Sequence, residues 1–192
     1  MNRTRIGART LTPLLLAAAL AASGTTPAAA RTPLPDATDA AFTEDCLQAH
    51  NQYRARHGAP ALVTDPAAQE YARSRAAVVS ASEGLSAGHG GLDPGYGENQ
   101  YWHGSDGPAR ATCRQAVDTW YAQGRAYDFT RPGYSPGTGL FTQVVWRSTT
   151  RLGCARSHGR GSAWYETYVI CSYGPPGNVL SQFPENVLPP RP

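Results

Sequence analysis

One histidine and one glutamate, His89 and Glu98, lie nine residues apart in the glycine-rich stretch AGHGGLDPGYGEN. An imidazole and a carboxylate in one loop have two chemical uses. They ligate a metal ion, or they exchange protons with a substrate as a general acid–base pair. The structural alternative is a hydrogen bond that pins the loop. A zinc site usually takes at least three protein ligands, so the pair alone favours the structural role.

The other histidines carry weaker chemical signals. His50 belongs to LQAHNQYRARHG, where His50 and Arg54 would lie one helical turn apart. This spacing indicates a hydrogen-bond network on one helix face rather than a catalytic site. His103 and His158 are expected in surface loops.

Three aromatic residues, Tyr127, Phe129 and Tyr134, lie in a stretch rich in glycine and proline. They would form either a mobile apolar flap over a lipid or part of the core. Spacing alone favours the core, because aromatic side chains are usually buried for packing.

Four cysteines, Cys46, Cys113, Cys154 and Cys171, follow an apparent export leader. An even number in an exported chain favours two disulfides over metal ligation. The sequence has no C-x-x-C spacing of the kind that indicates a thiolate zinc site.

The leader covers residues 1–30. Three arginines precede a short apolar run, and the stretch ends in Ala28-Ala29-Ala30, as in a cleavable signal peptide. The apolar run is too short to span a bilayer. Removing the leader leaves fourteen arginines against fourteen acidic residues, so net charge gives no support for nucleic-acid binding. We therefore expect a secreted protein without a transmembrane segment.

The remaining chain predicts helices first and strands later, a fold of the α+β class. Residues 31–42 are expected to be disordered, residues 43–180 to form one domain and residues 181–192 an irregular tail. Helices are predicted over 43–57, from Asp65 and Pro66 to about 80, and over 111–124. Residues 82–109 look like a loop. LFTQVVW (140–146), LGCARSH (152–158) and WYETYVICSY (164–173) are predicted strands, the last two forming a hairpin.

These motifs together resemble the CAP superfamily of cysteine-rich secretory proteins, venom antigen 5 and plant pathogenesis-related class one proteins. The motifs that carry the resemblance are HNQYRARHG, YGEN, AVDTWYAQGRAYDF, GLFTQVVWRSTTRLGCA and YVICSYGPPGN. YDFTRPGYSPGTG is similar to the secreted fungal sterol-binding members. The resemblance implies an α-β-α sandwich with a three-stranded antiparallel sheet between helices. It also implies a Cys154–Cys171 disulfide, which leaves Cys46 and Cys113 as the second pair.

The family's cleft carries two histidines and two glutamates, which hold zinc in some members. By resemblance, two of these positions correspond to His89 and Glu98. The second glutamate corresponds to Gln123, and the second histidine to Leu140. Leucine cannot ligate a metal or carry a proton, so we predict a degenerate cleft with no metal and no cofactor.

Three functions follow as hypotheses. The first is a secreted, non-enzymatic protein that binds a lipid or sterol-like molecule through Tyr127, Phe129 and Tyr134. The second is a protease-like hydrolase that uses His89 and Glu98 as its acid–base pair. The third is a secreted defence or interaction protein that contacts a cell-surface or host protein.

Overall fold

The computed structural model describes residues 31–191, so the predicted leader lies outside the described residues. In chain order the elements are helix α1 (Ala40–Arg56), strand β1 (Val63–Thr64), helix α2 (Pro66–Ser80), strand β2 (Gly97–Ser105), helix α3 (Cys113–Ala122), a 3₁₀ turn (Gln123–Ala126), helix α4 (Gly139–Val145), strands β3 (Arg151–Arg160) and β4 (Tyr165–Gly174), and the short helix α5 (Phe183–Asn186).

Side-chain caps fix where the three long helices begin. Asp39 accepts a hydrogen bond from the backbone N–H of Phe42 at 2.8 Å, and Asp65 caps α2 in the same way. Thr112 and Gln115 form a reciprocal capping box on α3. The three predicted helices are confirmed, although α1 begins earlier than expected because Asp39 supplies its cap. Over residues 31–191, no helix is long and apolar enough to cross a membrane.

The sheet has the order β1–β3–β4–β2 and lies between two helical layers. Helix α2 packs on one face, and α1, α3 and α4 cover the core on the other. The α+β prediction is confirmed. The three-stranded antiparallel sheet is wrong in its count, because β1 adds a fourth strand parallel to β3.

One strand prediction and one loop prediction made from the sequence were wrong. Residues 140–145 belong to α4, and Trp146 caps its end, so this stretch is not a strand. The short apolar run is buried on nearly every side, and periodicity cannot distinguish a fully buried helix from a buried strand. The missing sheet member is β2, which lies within the predicted loop 82–109 and pairs with β4 over nine residues. Its polar start, GENQ, concealed it.

The segment before α1 was expected to be disordered, and the structure corrects this. Pro35 and Ala37 exchange backbone hydrogen bonds with His158 and Arg156, so the segment extends the sheet along β3. Leu34 is buried against α2 and β4. The expected irregular tail also contains α5, and its Phe183 packs edge-to-face on Trp146. Both segments therefore pack against the domain.

Two disulfides stabilise the interior. Cys154 lies directly opposite Cys171 in the β3–β4 hairpin, and the two form one bridge. The second bridge links Cys46 of α1 to Cys113 of α3. Both predicted pairings are found. The four sulfur atoms lie within 4.8 Å of one another, so the bridges join two helices and the sheet at one point.

Candidate functional site

Three of the four predicted cleft residues line one cavity of about 330 Å³. His89, Glu98 and Leu140 share it with Tyr134. Strand β2 places Glu98 at the sheet edge, and α4 brings Leu140 against it. The fourth residue, Gln123, is next to Leu140: the side-chain oxygen of Gln123 accepts a hydrogen bond from the Leu140 backbone N–H at 3.1 Å. The structure therefore brings the predicted set together, although Gln123 does not line the cavity itself.

The carboxylate of Glu98 is fully engaged by its neighbours. Arg75 of α2 donates from Nε at 2.6 Å and from a terminal nitrogen at 3.1 Å. Gln100 donates at 2.6 Å, and His89 Nδ1 lies 2.9 Å from the same oxygen. Burial raises the pKa of Glu98, but the hydrogen bonds from His89, Arg75 and Gln100 outweigh it and lower the pKa to about 2. Glu98 is therefore a structural anion at neutral pH.

This ion pair predicts an acid-sensitive fold. The ordinary pKa of 4.5 falls to about 2 on folding, so Glu98 stabilises the protein fully above about pH 5. The contribution, about 3 kcal/mol, is lost as the pH falls towards 2. Urea unfolding at pH 6, 4 and 3 should show the decline. The variant Glu98→Gln should be less stable at pH 6 but lose less on acidification. An equally steep decline in the variant would contradict this assignment.

The residues of the cleft do not fit a zinc ion. Leu140 offers no ligand atom, and Gln123 offers only a neutral amide that already accepts from the Leu140 backbone. Arg75 places a cation against Glu98, where a metal would compete with it. His89, whose side chain is 55% exposed, uses Nδ1 to contact Glu98, so only its Nε2 remains as a possible ligand. One imidazole is too few for a stable site.

The sequence also contains a G-x-S-x-G pattern, GYSPG at 133–137, which sequence reasoning overlooked. In α/β-hydrolases this pattern forms a tight turn between a strand and a helix. Here Ser135 lies in an exposed loop and accepts a hydrogen bond from Gly137 N–H. No histidine of residues 31–191 is hydrogen-bonded to it. The pattern has no catalytic geometry.

His50 has the structural role predicted for it. It is completely buried, with Nδ1 2.7 Å from the carbonyl oxygen of Cys46 and Nε2 2.8 Å from the Tyr173 hydroxyl. Burial lowers the pKa of His50 to about 4, so the ring is neutral at neutral pH. A neutral ring must donate from Nδ1 to the carbonyl, which leaves Nε2 to accept from Tyr173.

The three aromatic residues of the predicted flap have three different positions. Tyr127 is buried and packs on Phe141, as the core alternative predicted. Phe129 is half-buried, with ring centroids 6.2 Å from both His57 and Phe141. Tyr134 is 55% exposed and lines the cleft beside Leu140. Phe129 and Tyr134 therefore face different cavities, and no single flap contains all three.

The cavity beside Phe129 was not predicted from the sequence. It has a volume of about 490 Å³ and lies between α1 and α3. Its aromatic wall consists of Tyr53, His57, Tyr121, Phe129 and Phe141. Tyr53 stacks on Tyr121 with ring centroids 3.7 Å apart. Tyr53 and His57, the residue that caps α1, are four positions apart, which was the available signal. Only folding shows that Tyr121 and Phe129 face them.

The rim of this aromatic cavity is cationic. Arg56 and Arg125 both line it and are exposed, and neither has a carboxylate within salt-bridge distance among the described residues. Asp118 also lines the cavity, but it accepts from the Tyr53 hydroxyl at 2.8 Å and is paired with Arg114. The cavity thus joins an apolar wall to two unpaired guanidinium groups.

Comparison with known proteins agrees with the geometry. A family model described as "CAP: Cysteine-rich secretory protein family" matches residues 47–173. The chain is 41% identical over 165 residues to "Secreted protein RBT4" of Candida albicans, covering 80% of this chain and 42% of that protein. It is 33% identical over 156 residues to the human "Golgi-associated plant pathogenesis-related protein 1", covering 78% and 94%. The chain therefore spans less than half of the length of the Candida relative.

Solved structures share the fold at lower identity. "NaASP2 with Zn2+" superposes with a TM-score of 0.58 at 20% identity, covering 82% of this chain and 90% of that one. "Hookworm Platelet Inhibitor" gives 0.55 at 21% identity, covering 76% and 75%. At these identities the similarity shows a shared fold and nothing more.

Proposed function

Because the chain belongs to the CAP family of cysteine-rich secretory proteins, we propose that it is a secreted, non-enzymatic protein that binds an amphipathic lipid, such as a sterol or a fatty acid. The leader-like residues 1–30 and the names of two Candida albicans relatives, "Secreted protein RBT4" and "Secreted protein PRY1", support export. The proposed binding site is the aromatic cavity between α1 and α3.

The observation that carries the proposal is the character of this cavity. Its volume of about 490 Å³ falls within the range of small-molecule sites, which are concave and mostly apolar. Tyr121 and Phe141 meet edge-to-face at 5.6 Å, which gives the wall a rigid aromatic surface. The body of a lipid would be removed from water against these rings.

The cationic rim supports an amphipathic ligand rather than a purely apolar one. The guanidinium of Arg56 lies 5.0 Å from the centroid of the Tyr53 ring, which orients it beside the opening. Arg125 lies on the 3₁₀ turn that follows α3. A ligand that presents oxygen atoms to both guanidinium groups would gain charge-assisted hydrogen bonds there.

The hydrolase hypothesis receives less support from the geometry. It needs Glu98 to exchange a proton with His89, but the low pKa of Glu98 keeps it ionised at neutral pH. The Arg75 guanidinium also occupies both carboxylate oxygens. A general acid or base works best with a pKa near the working pH, whereas the pKa of Glu98 is shifted away from neutral pH.

Truncating Phe129 should weaken lipid binding. We expect Phe129→Ala to raise the dissociation constant about tenfold for both a fluorescent sterol and a C16 carboxylic acid, because one wall of the cavity is removed. Arg125→Ala should weaken binding of the carboxylic acid more than that of the sterol. Fluorescence titration of delipidated protein measures both, and native mass spectrometry of the untreated protein tests for a co-purified lipid.

Tyr134→Ala is the matched control, because it truncates an aromatic residue of the same loop that faces the cleft instead. Its lipid affinity should equal that of the wild type. Loss of binding in Tyr134→Ala with no change in Phe129→Ala would show that the ligand binds in the cleft instead. Absence of binding by the wild-type protein to either probe would refute the lipid proposal.

A further inference from the structure

The first described residue, Arg31, is one of the most thoroughly bound side chains at the surface. Its Nε donates to the carbonyl of Ser80 at 2.9 Å, and its two terminal nitrogens donate to Glu166 at 3.0 and 2.6 Å. Its backbone nitrogen donates to the carbonyl of Ala81, also at 2.9 Å. Both ends of the residue are therefore held.

The partner carboxylate is buried and depends on this arginine. The Glu166 side chain is 4% exposed, and among residues 31–191 Arg31 is the only cation within salt-bridge distance of it. The hydrogen bonds from Arg31 outweigh burial and lower the pKa of Glu166 to about 2. Trp102 Nε1 donates to the same carboxylate at 3.3 Å. A buried carboxylate that lost its cation would be strongly destabilising.

Arg31 also donates to the Tyr168 hydroxyl at 2.9 Å, and it contacts the carboxyl-terminal end of α2. This helix has no basic residue in its last turn. Its terminal carbonyl groups lack partners inside the helix and carry a partial negative charge. Ser80 and Ala81 direct these carbonyls at Arg31, so a positive charge on either end of that residue is favourable there.

We propose that the chain is cut between Ala30 and Arg31 and that the new amino terminus docks on the end of α2, so that removal of the leader completes the fold. In the cut, a leader-removing protease adds water across the peptide bond. Ala30 keeps the carboxylate, and the nitrogen of Arg31 becomes an α-ammonium group. That nitrogen already lies 2.9 Å from the carbonyl oxygen of Ala81. Processing therefore changes a neutral donor into a charged one at the place where α2 favours a cation.

Two measurements test the proposal. Amino-terminal sequencing and intact mass of the secreted protein should show that it starts at Arg31. Protein released from a fusion by a protease that leaves no extra residue should then be compared with the same protein acetylated at its α-nitrogen. We expect acetylation to lower Tm by about 2–3 °C, because it removes the charge and keeps an N–H donor.

Variants separate the two charges of the residue. Arg31→Ala should lower Tm by roughly 5–10 °C, since it leaves Glu166 buried without a cation. Arg73→Ala is the control: its partner Asp36 lies on the same segment, but that pair is exposed, so Tm should hardly change. A mature chain that starts after Arg31 would overturn the proposal. So would an unchanged Tm on acetylation, because the guanidinium would then hold the segment whether or not the chain had been cut.

Discussion

The wild-type protein should show no zinc binding by calorimetry at micromolar concentrations, whereas Leu140→His combined with Gln123→Glu should bind one zinc ion. We expect the affinity of the double variant to exceed that of the wild type by at least about 100-fold. Neither single change should reach half of this gain in free energy, because zinc affinity depends on assembling several ligands at once.

The geometry of Glu98 explains why two substitutions should suffice. His89 Nδ1 faces the Glu98 carboxylate at 2.9 Å, so the other ring nitrogen is available to a metal. A carboxylate in this position orients a metal-binding imidazole without being a ligand itself. Glu98 can therefore keep its ion pair with Arg75. His89 and the two introduced side chains would supply three protein ligands, with water as the fourth.

Two further variants control this experiment. Adding His89→Ala to the double variant should abolish the gain, since only two ligands would remain. The single variant Tyr134→Phe, which alters a cleft residue without adding a ligand, should bind no zinc, like the wild type. Tight zinc binding by the wild type would show that our assignment of the cleft is wrong. An inert double variant would show that α4 holds position 140 too far from His89.

Sequence patterns predicted the cleft better than the strands around it. Spacing pairs His89 with Glu98, and the resemblance to the family adds Gln123 and Leu140; the structure brings these four residues close together. No local pattern identifies Arg75. It lies on α2, 23 residues before Glu98 in the sequence, and it contacts Glu98 only because of the fold. Glu98 becomes a structural anion through hydrogen bonds from His89, Arg75 and Gln100, and the Arg75 contact is the one that no local pattern predicts.

The aromatic cavity was missed for a similar reason. A tyrosine on an amphipathic helix is usually a core or boundary residue, so neither Tyr53 nor Tyr121 is informative alone. Their stacking depends on how α1 packs beside α3, which the Cys46–Cys113 bridge constrains. The bridge was predicted, but its consequence for the facing helix surfaces was not. Predicting a cavity needs the relative placement of elements, whereas predicting a cap needs only neighbouring residues.

Replacing Arg54 with alanine should destabilise the fold more than any other single change considered above. Arg54 is fully buried in α1 and donates to four backbone carbonyls, those of Pro60, Val144, Trp146 and Thr149, at 2.8–3.0 Å. These carbonyls belong to the end of α4 and the loops beside it. One guanidinium thus satisfies backbone acceptors that no regular element could pair.

We expect Arg54→Ala to cost about 4–6 kcal/mol in the free energy of unfolding, a fall in Tm of roughly 10–20 °C. Burial lowers the pKa of Arg54 to about 10, so the group still carries its charge at neutral pH. Arg54→Lys keeps a charge but not the planar arrangement of five N–H donors, and its loss should be intermediate. Urea unfolding measures all three proteins.

The matched control is Arg56→Ala, two residues along the same helix and exposed to solvent. Its cost should stay below about 1 kcal/mol, since it removes only a surface charge near the helix end and a contact with the Tyr53 ring. Equal losses from Arg54→Ala and Arg56→Ala would show that helix propensity, not carbonyl satisfaction, dominates. Because two of the Arg54 acceptors, Val144 and Trp146, lie at the end of α4, loss of Arg54 should also loosen the helix that carries Leu140. Hydrogen exchange in Arg54→Lys should therefore rise first over residues 139–149, before α2 is affected.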